Sequence, residues 1–149
     1  RTWSYNEISR RYTDVDLRFY EPKNFRTQHE SNRQASNNEL ANPLINSSGV
    51  HGGETASYLV KKHHLESLKL FNTLLSAGVC REQARGVLPQ NLYTEYYGTC
   101  NLSNLLKFVD LRIHEGAQWE IQKVAEALLE LTTDLWPTAV NAYRESKNK

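Results

Sequence analysis

The first clear period in the chain lies between Thr55 and Ala77, where Val60, Leu68, Phe71 and Leu75 recur at close to the 3.6-residue repeat of an amphipathic helix. Ser76-Ala77-Gly78 closes it as a glycine C-cap, since glycine adopts the left-handed backbone that ends many helices. A second such pattern, through Ala117, Ile121, Val124, Ala125, Leu128, Leu131 and Leu135, predicts a long final helix that Pro137 breaks. Between the two, Asn101 is placed to cap a helix running through Leu105, Phe108 and Val109 to Arg112, and Arg81 to Arg85 reads as a short helix ended by Leu88-Pro89.

Strand patterns are shorter. Val15-Asp-Leu-Arg-Phe-Tyr20 alternates apolar and polar positions and predicts a half-buried strand ended by Glu21-Pro22, and Leu92 to Tyr97 has the same aromatic alternation. Residues 1 to 12 have no period and mix hydroxyls, a carboxylate and arginines. They read as a loop, either a solvated polar turn or a binding loop anchored by the strand after it. Asn24 to Glu54, rich in Asn, Ser, Gln, Arg and Gly, reads as a long surface connection. The expected fold is α+β: a helix-dominated mixed α/β domain with short antiparallel strands and two long amphipathic helices, one domain over 1–149. No repeat period and no heptad seam interrupts it.

Composition narrows the classes. With 39% hydrophobic and 23% charged residues, the 149-residue chain has enough apolar material for a core and is neither collagen-like nor disordered. No apolar run approaches the length of a membrane span and no signal peptide opens the sequence, so a cytoplasmic protein without a membrane partner is expected. A net charge of +1 argues against nucleic acid as a partner, because that affinity comes from a basic face making many phosphate contacts, while a small anion remains open. Cys80 and Cys100 form neither a disulfide framework nor a zinc spacing, and read as reduced thiols. The chain lacks methionine and starts on Arg1 inside what reads as a motif, so an N-terminal part is expected to be missing.

Two isolated arginines, Arg85 and Arg112, sit in segments that read as buried structure. A buried guanidinium needs an anion or an acceptor network, and its planar fork suits a phosphate or a nucleobase edge, so either a nucleotide site or intramolecular ion pairs account for them. Glu82, three residues before Arg85, either forms a surface ion pair with it or holds it in one rotamer for a ligand. His63 and His64 have no companion ligands at metal-binding spacing and read as structural or exposed, so no metal site is expected. There is no Gly-x-x-x-x-Gly-Lys loop, no Gly-x-Gly-x-x-Gly after a strand, no Gly-x-Ser-x-Gly elbow and no His-Glu-x-x-His.

Arg1, seven residues and Ser9, with Ser4-Tyr-Asn-Glu-Ile-Ser9 and Arg11-Tyr12 within and after that spacing, resemble the end of the Arg-His-Arg-x7-Ser signature of the flavin-dependent thymidylate synthases, with Arg1 as its second arginine. The likeness continues through Phe19-Tyr20-x-Pro22, Asn32-Arg-Gln-Ala-Ser36, Ala84-Arg85-x-Val-Leu-Pro89, Tyr93-Thr94, Asn101, Leu111-Arg112 and Ala117-Gln-Trp-Glu-Ile121, in order over nearly the whole chain. The resemblance implies the C-terminal two-thirds of that family's fold and a homotetramer with shared sites. It also implies reductive methylation of dUMP to dTMP, with FAD as cofactor and NADPH and methylenetetrahydrofolate as co-substrates.

By the same resemblance, Glu7, Ile8, Ser9, Arg10, Arg11, Arg85 and Arg112 would bind dUMP, with Arg112 as the catalytic residue. Arg1, Glu7, Asn101, Leu102, Ser103 and Lys107 would bind FAD. Ser103 stands where the family commonly has arginine, and Lys107 where asparagine or histidine is usual. The alternative is a non-catalytic nucleotide- or flavin-binding helical assembly module, which a bound yellow chromophore and dUMP-dependent turnover would distinguish from the enzyme.

Overall fold

The computed structural model describes residues 3–9, 12–13, 16–33, 35–46 and 53–147. Strands β1 (Ser4–Glu7), β2 (Phe25–Gln28), β3 (Ser36–Ala41), β4 (Leu44–Ile45) and β5 (Glu54–Thr55) precede helix α1 (Ala56–Ser76). Helix α2 (Arg81–Ala84), a 3-10 turn (Arg85–Val87) and β6 (Tyr96–Thr99) follow, then α3 (Leu102–Arg112), α4 (Trp119–Leu135) and α5 (Pro137–Lys147). β1 pairs with β6, β2 with β3, and β4 with β5, the last antiparallel with Leu44 opposite Thr55 and Ile45 opposite Glu54. The fold is the helix-dominated α+β arrangement with short antiparallel strand pairs that the sequence predicts. Among the described residues no helix is long and apolar enough to cross a membrane, and no cluster of side chains could hold a metal ion.

Contacts divide the chain into two compact units, one of Arg1–Ser4, Thr27–Asn38 and Gly98–Lys149, the other of Tyr5–Arg26 and Glu39–Tyr97. The second is built on α1, whose ends are both chemically closed. Thr55 Oγ1 accepts from Tyr58 N, Asn42 Oδ1 accepts from Ser57 N at 3.0 Å, and Pro43 O accepts from Ala56 N at 2.9 Å, so the donors of the first turn are satisfied. At the other end Gly78 takes φ +84°, which lets its N–H reach Leu75 O and the N–H of Val79 reach Leu74 O, a paired closure that needs the left-handed residue. α1 packs on α2 and the 3-10 turn, and the two residues fully enclosed here, Phe71 and Ala84, come one from each side of that packing. In the first unit α3 packs on α4 and α4 on α5, and Val109, Ala125 and Val140, one from each helix, are fully enclosed.

Several local expectations give way. The segment expected to be a strand up to Tyr20 makes only a one-residue bridge, Phe19 to Leu92, and Asp16 takes φ +54°, which an extended strand does not allow. Val15 lies outside the described residues. Ser4–Glu7, expected as loop, is β1. The stretch from Asn24 to Glu54, expected to be an unstructured connection, holds four short strands, because backbone pairing in β2 and β3 needs no apolar alternation when both faces are solvated. β6 begins at Tyr96, later than the aromatic alternation implies. Pro137 ends α4 as predicted but also starts α5, since its missing N–H would have no partner at the first helical position in any case.

Candidate functional site

The unit built on α1 carries the segment Glu7–Ser9. Ile8 N donates to Glu95 O at 3.0 Å and Thr94 Oγ1 reaches Ile8 O at 3.5 Å, which docks the end of β1 on the segment leading into β6. Ser9 O accepts from Tyr12 N at 3.0 Å. Two open cavities meet at Ile8. One of about 350 Å³ is lined by Asn6, Glu7, Ile8, Glu95, Tyr96 and Tyr97. The other, of about 370 Å³, is lined by Ile8, Thr13, Asp16, Arg18, Tyr93, Thr94 and Glu95, with Arg18 Nε held 3.0 Å from Asp16 Oδ2.

Of the residues expected at a dUMP site, Glu7, Ile8 and Ser9 are therefore contiguous and fixed by backbone bonds. Arg10 and Arg11 lie outside the described residues, as does Arg1. Arg85 opens the 3-10 turn and is not among the residues lining these two cavities. The expectation that Arg85 and Arg112 are buried is corrected: both side chains are exposed in this chain, so neither carries a desolvation cost that an internal partner must offset. No ion pair joins Glu82 to Arg85 among the described residues. Arg112, the last residue of α3, does not pair with Asp110, whose carboxylate is held from α5 instead. At a helix C-terminus a cation also meets the negative end of the backbone dipole, a favourable surface position.

In the unit built on α3–α5, three of the residues expected at a flavin site, Leu102, Ser103 and Lys107, line one groove, while Glu7 belongs to the other unit and Arg1 lies outside the described residues. Asn101 caps α3, its Oδ1 accepting from Asn104 N at 2.9 Å, and Leu102, Ser103 and Lys107 lie on the helix face that follows. Leu102, Ser103, Leu106, Lys107 and Asp110 from α3, with Tyr143, Ser146 and Lys147 from α5, line a groove of about 420 Å³. Lys147 Nζ lies 2.7 Å from Asp110 Oδ2 and Tyr143 donates its hydroxyl to Asp110 Oδ1. Burial pushes the Asp110 carboxyl up, but the bonds from Lys147 and Tyr143 and the charge of Lys147 outweigh it and hold the group below its ordinary value. Tyr143 is pushed up to about 12 by burial and by the carboxylate it bonds.

The donor set of this groove, two ammonium groups and the hydroxyls of Ser103 and Ser146, suits an anionic group, and Lys147 offsets the one carboxylate that would oppose it. Tyr143 and Lys147 escaped the sequence reading because α5 was not foreseen. The signal was available in Pro137 as a helix start followed by Val140 and Tyr143 at helical spacing.

Two motifs without an expected role line a further polar cavity of about 450 Å³ in the same unit. Asn32, Ala35 and Ser36 meet Ala117, Trp119 and Gln122 there. Gln122 Nε2 donates to the carbonyls of His114, Glu115 and Ala117, which fixes the loop between α3 and α4.

A family profile described as thymidylate synthase complementing protein matches residues 1–138. The flavin-dependent thymidylate synthase of Thermus thermophilus is 42% identical over 145 residues, covering 97% of this chain and 50% of that protein. The enzyme of the same description from Aquifex aeolicus is 41% identical over 134 residues, covering 88% of this chain and 39% of the other. The chain thus spans about half the length of the Thermus relative or less of the Aquifex one. Among solved structures, a UMP/dUMP methylase, PolB from Streptomyces cacaoi, crystallised with 5-Br UMP, superposes with a TM-score of 0.76 at 27% identity, covering 97% of this chain and 65% of that one. The order of motifs, the fold and the match over residues 1–138 place this chain in the thymidylate synthase complementing protein family.

Proposed function

We propose that this chain is part of an FAD-dependent thymidylate synthase that converts dUMP to dTMP, taking the carbon from methylenetetrahydrofolate and the reducing equivalents from NADPH. The observation that carries the reading is the identity to flavin-dependent thymidylate synthases along 97% of the chain. When bound, the flavin supplies hydride chemistry. The chain's own residues bind and orient. Ser9 and the backbone around it, with Arg10, Arg11 and Arg85, hold the phosphate monoester of dUMP, for which hydroxyl, N–H and guanidinium donors are suited. Glu7 and Ile8 complete that wall.

Arg112 faces the pyrimidine edge that gains negative charge during reaction, and its permanent charge and paired donors suit that task. Asn101, Leu102, Ser103 and Lys107, with Glu7 and Arg1, hold the flavin nucleotide. The site is completed by other copies in a cytoplasmic homotetramer. Leu65, Leu70, Leu111, Leu131, Leu135 and Trp136 are all exposed in the single chain, which is the apolar surface such an assembly would cover.

Purified protein should carry a yellow chromophore, sediment as a tetramer and form dTMP from dUMP only when methylenetetrahydrofolate and NADPH are both present. A flavin-loaded protein whose reduced flavin is not oxidised faster with dUMP and methylenetetrahydrofolate would overturn the reading.

A further inference from the structure

His64 is a histidine in the middle of α1 that the proposed chemistry does not use, yet it is 2% exposed and every polar atom of its ring is engaged. Nδ1 lies 3.0 Å from Glu21 Oε1, Nε2 lies 2.8 Å from Asn91 Nδ2, and the ring stacks on Phe19 with centroids 4.5 Å apart. The roles of these atoms follow from one neighbour. Asn91 Nδ2 also lies 2.8 Å from Tyr20 O, and a carbonyl oxygen can only accept, so the amide nitrogen faces both partners and donates to both. His64 Nε2 is then the acceptor, and the ring proton sits on Nδ1, where Glu21 accepts it.

Asn91 belongs to the segment that docks the substrate wall. Its carbonyl accepts from Tyr20 N at 2.9 Å, Leu92 bridges Phe19, and Tyr93 N donates to Arg18 O at 2.8 Å. Two residues on, Glu95 O takes the N–H of Ile8. Every link lies within one compact unit. A displacement of Asn91 therefore passes along a continuous run of backbone into the position of Ile8 and Ser9.

We propose that His64 is a positioning residue for dUMP binding: as the neutral Nδ1–H ring it holds Asn91, and through Asn91 it sets where Glu7–Ser9 stand. The proposal rests on the dUMP reading of Glu7–Ser9 given above. It assigns His64 no contact with the substrate. The ring acts as a spacer with one donor and one acceptor, so the effect of losing it falls on binding rather than on the chemical step.

His64→Phe keeps the ring and the stack on Phe19 and removes both hydrogen bonds. In the flavin-loaded protein it should raise KM for dUMP by about ten- to a hundredfold while kcat changes by less than about threefold, the signature of misplaced binding groups. Asn91→Leu should do the same, and the double variant should be no worse than either, because both remove one link. His64→Gln, whose side-chain oxygen can still accept from Asn91, should recover most of the lost affinity. Hydrogen exchange at the amides of Ile8 and Tyr93 should accelerate in His64→Phe without any ligand present.

A folded, flavin-loaded His64→Phe protein with unchanged KM and unchanged exchange at those amides overturns the proposal. So does multiplication of the two single effects in the double variant. If His64→Phe does not fold, Asn91→Leu and His64→Gln carry the same test, and a His64→Gln protein as impaired as Asn91→Leu refutes it. If wild-type protein does not bind dUMP in calorimetry, the functional reading fails instead, and the exchange rates of Ile8 and Tyr93 still decide whether His64 positions that segment.

Discussion

The hydroxyl of Tyr143 donates to Oδ1 of Asp110 across 2.5 Å, and this bond joins α5 to the face of α3 that carries Ser103 and Lys107. Its pH dependence has two limits of opposite sign. Asp110 is held below its ordinary value, so its contribution is fully present above about pH 4, the unfolded value, and is lost as pH falls through the lowered folded value. Tyr143 is raised to about 12, so its contribution is fully present below the ordinary tyrosine value and is lost as pH rises toward 12. Tyrosinate absorbance should show one late-titrating phenol that disappears in Tyr143→Phe. That variant should lose about 1 kcal/mol, less than the roughly 1.5–3 kcal/mol of a bond to a charged group, because both partners keep some solvent contact. A Tyr143→Phe protein with unchanged melting temperature across the pH range would show that α5 is held by apolar packing alone.

Arg112 is exposed in the chain, and that exposure sharpens what its replacement tests. A surface arginine changes folding stability by no more than about 0.5 kcal/mol when removed, so Arg112→Lys and Arg112→Ala should melt and load flavin like the wild type. Turnover should fall by roughly 10²–10³ in Arg112→Lys, which keeps the charge and loses the fork, and by at least as much in Arg112→Ala. Single-turnover oxidation of reduced flavin in the presence of dUMP and methylenetetrahydrofolate is the measurement. A wild-type rate in a folded, flavin-loaded Arg112→Ala protein would reduce Arg112 to a favourable charge at a helix end.

No histidine lies among residues 1–12 beside Ser9, and the role proposed for it is binding rather than covalent attack. Ser9→Ala should raise KM for dUMP and leave kcat near that of the wild type. Mass spectrometry of the quenched reaction is the direct check, since a pyrimidine attached to Ser9 would contradict the assignment.

How much of this was readable in advance depended on whether a residue's neighbours in sequence are also its neighbours in space. Thr55, Asn101 and Gly78 announce the ends of α1 and α3 because caps are local bonds, and the predicted and observed limits agree within a residue. Ser36–Ala41 forms β3 although Ser-Asn-Asn-Glu-Leu-Ala has no apolar alternation, since its stability comes from a partner strand elsewhere in the chain. Phe19 shows the converse, an alternating segment that finds one bridge partner and no ladder. For the candidate site, the order of motifs pointed to Ser103 and Lys107, which line one groove. It did not identify His64, whose partners Glu21 and Asn91 lie 43 and 27 residues away. Exposure of Arg85 and Arg112 was misjudged because apolar neighbours along a helix say nothing of which side a long side chain takes.

The thiols support a negative prediction. Burial pushes the Cys100 thiol up and so disfavours the thiolate, and Cys80 is exposed. Replacing both with serine should leave dTMP formation within a factor of about two, because hydride delivery from the proposed flavin makes a cysteine nucleophile unnecessary. Loss of turnover in a folded, flavin-loaded double variant would reverse that conclusion.

α1 holds His64 and Phe71 about two turns apart, roughly 10 Å along its axis. His64 faces the segment that leads to Ile8, while Phe71 is enclosed in the unit where α1 packs on the short helix before Arg85. The segment carrying Ile8 and the turn carrying Arg85, both assigned to dUMP in the proposed function, are thus mounted on one helix at separate points. Sequence drift near Phe71 and Ala84 can move Arg85 without disturbing Ile8, and drift near His64 can do the reverse. Substrate affinity in such a lineage can be retuned from either mount independently, and a loss at one can be compensated at the other without rebuilding the helix between them.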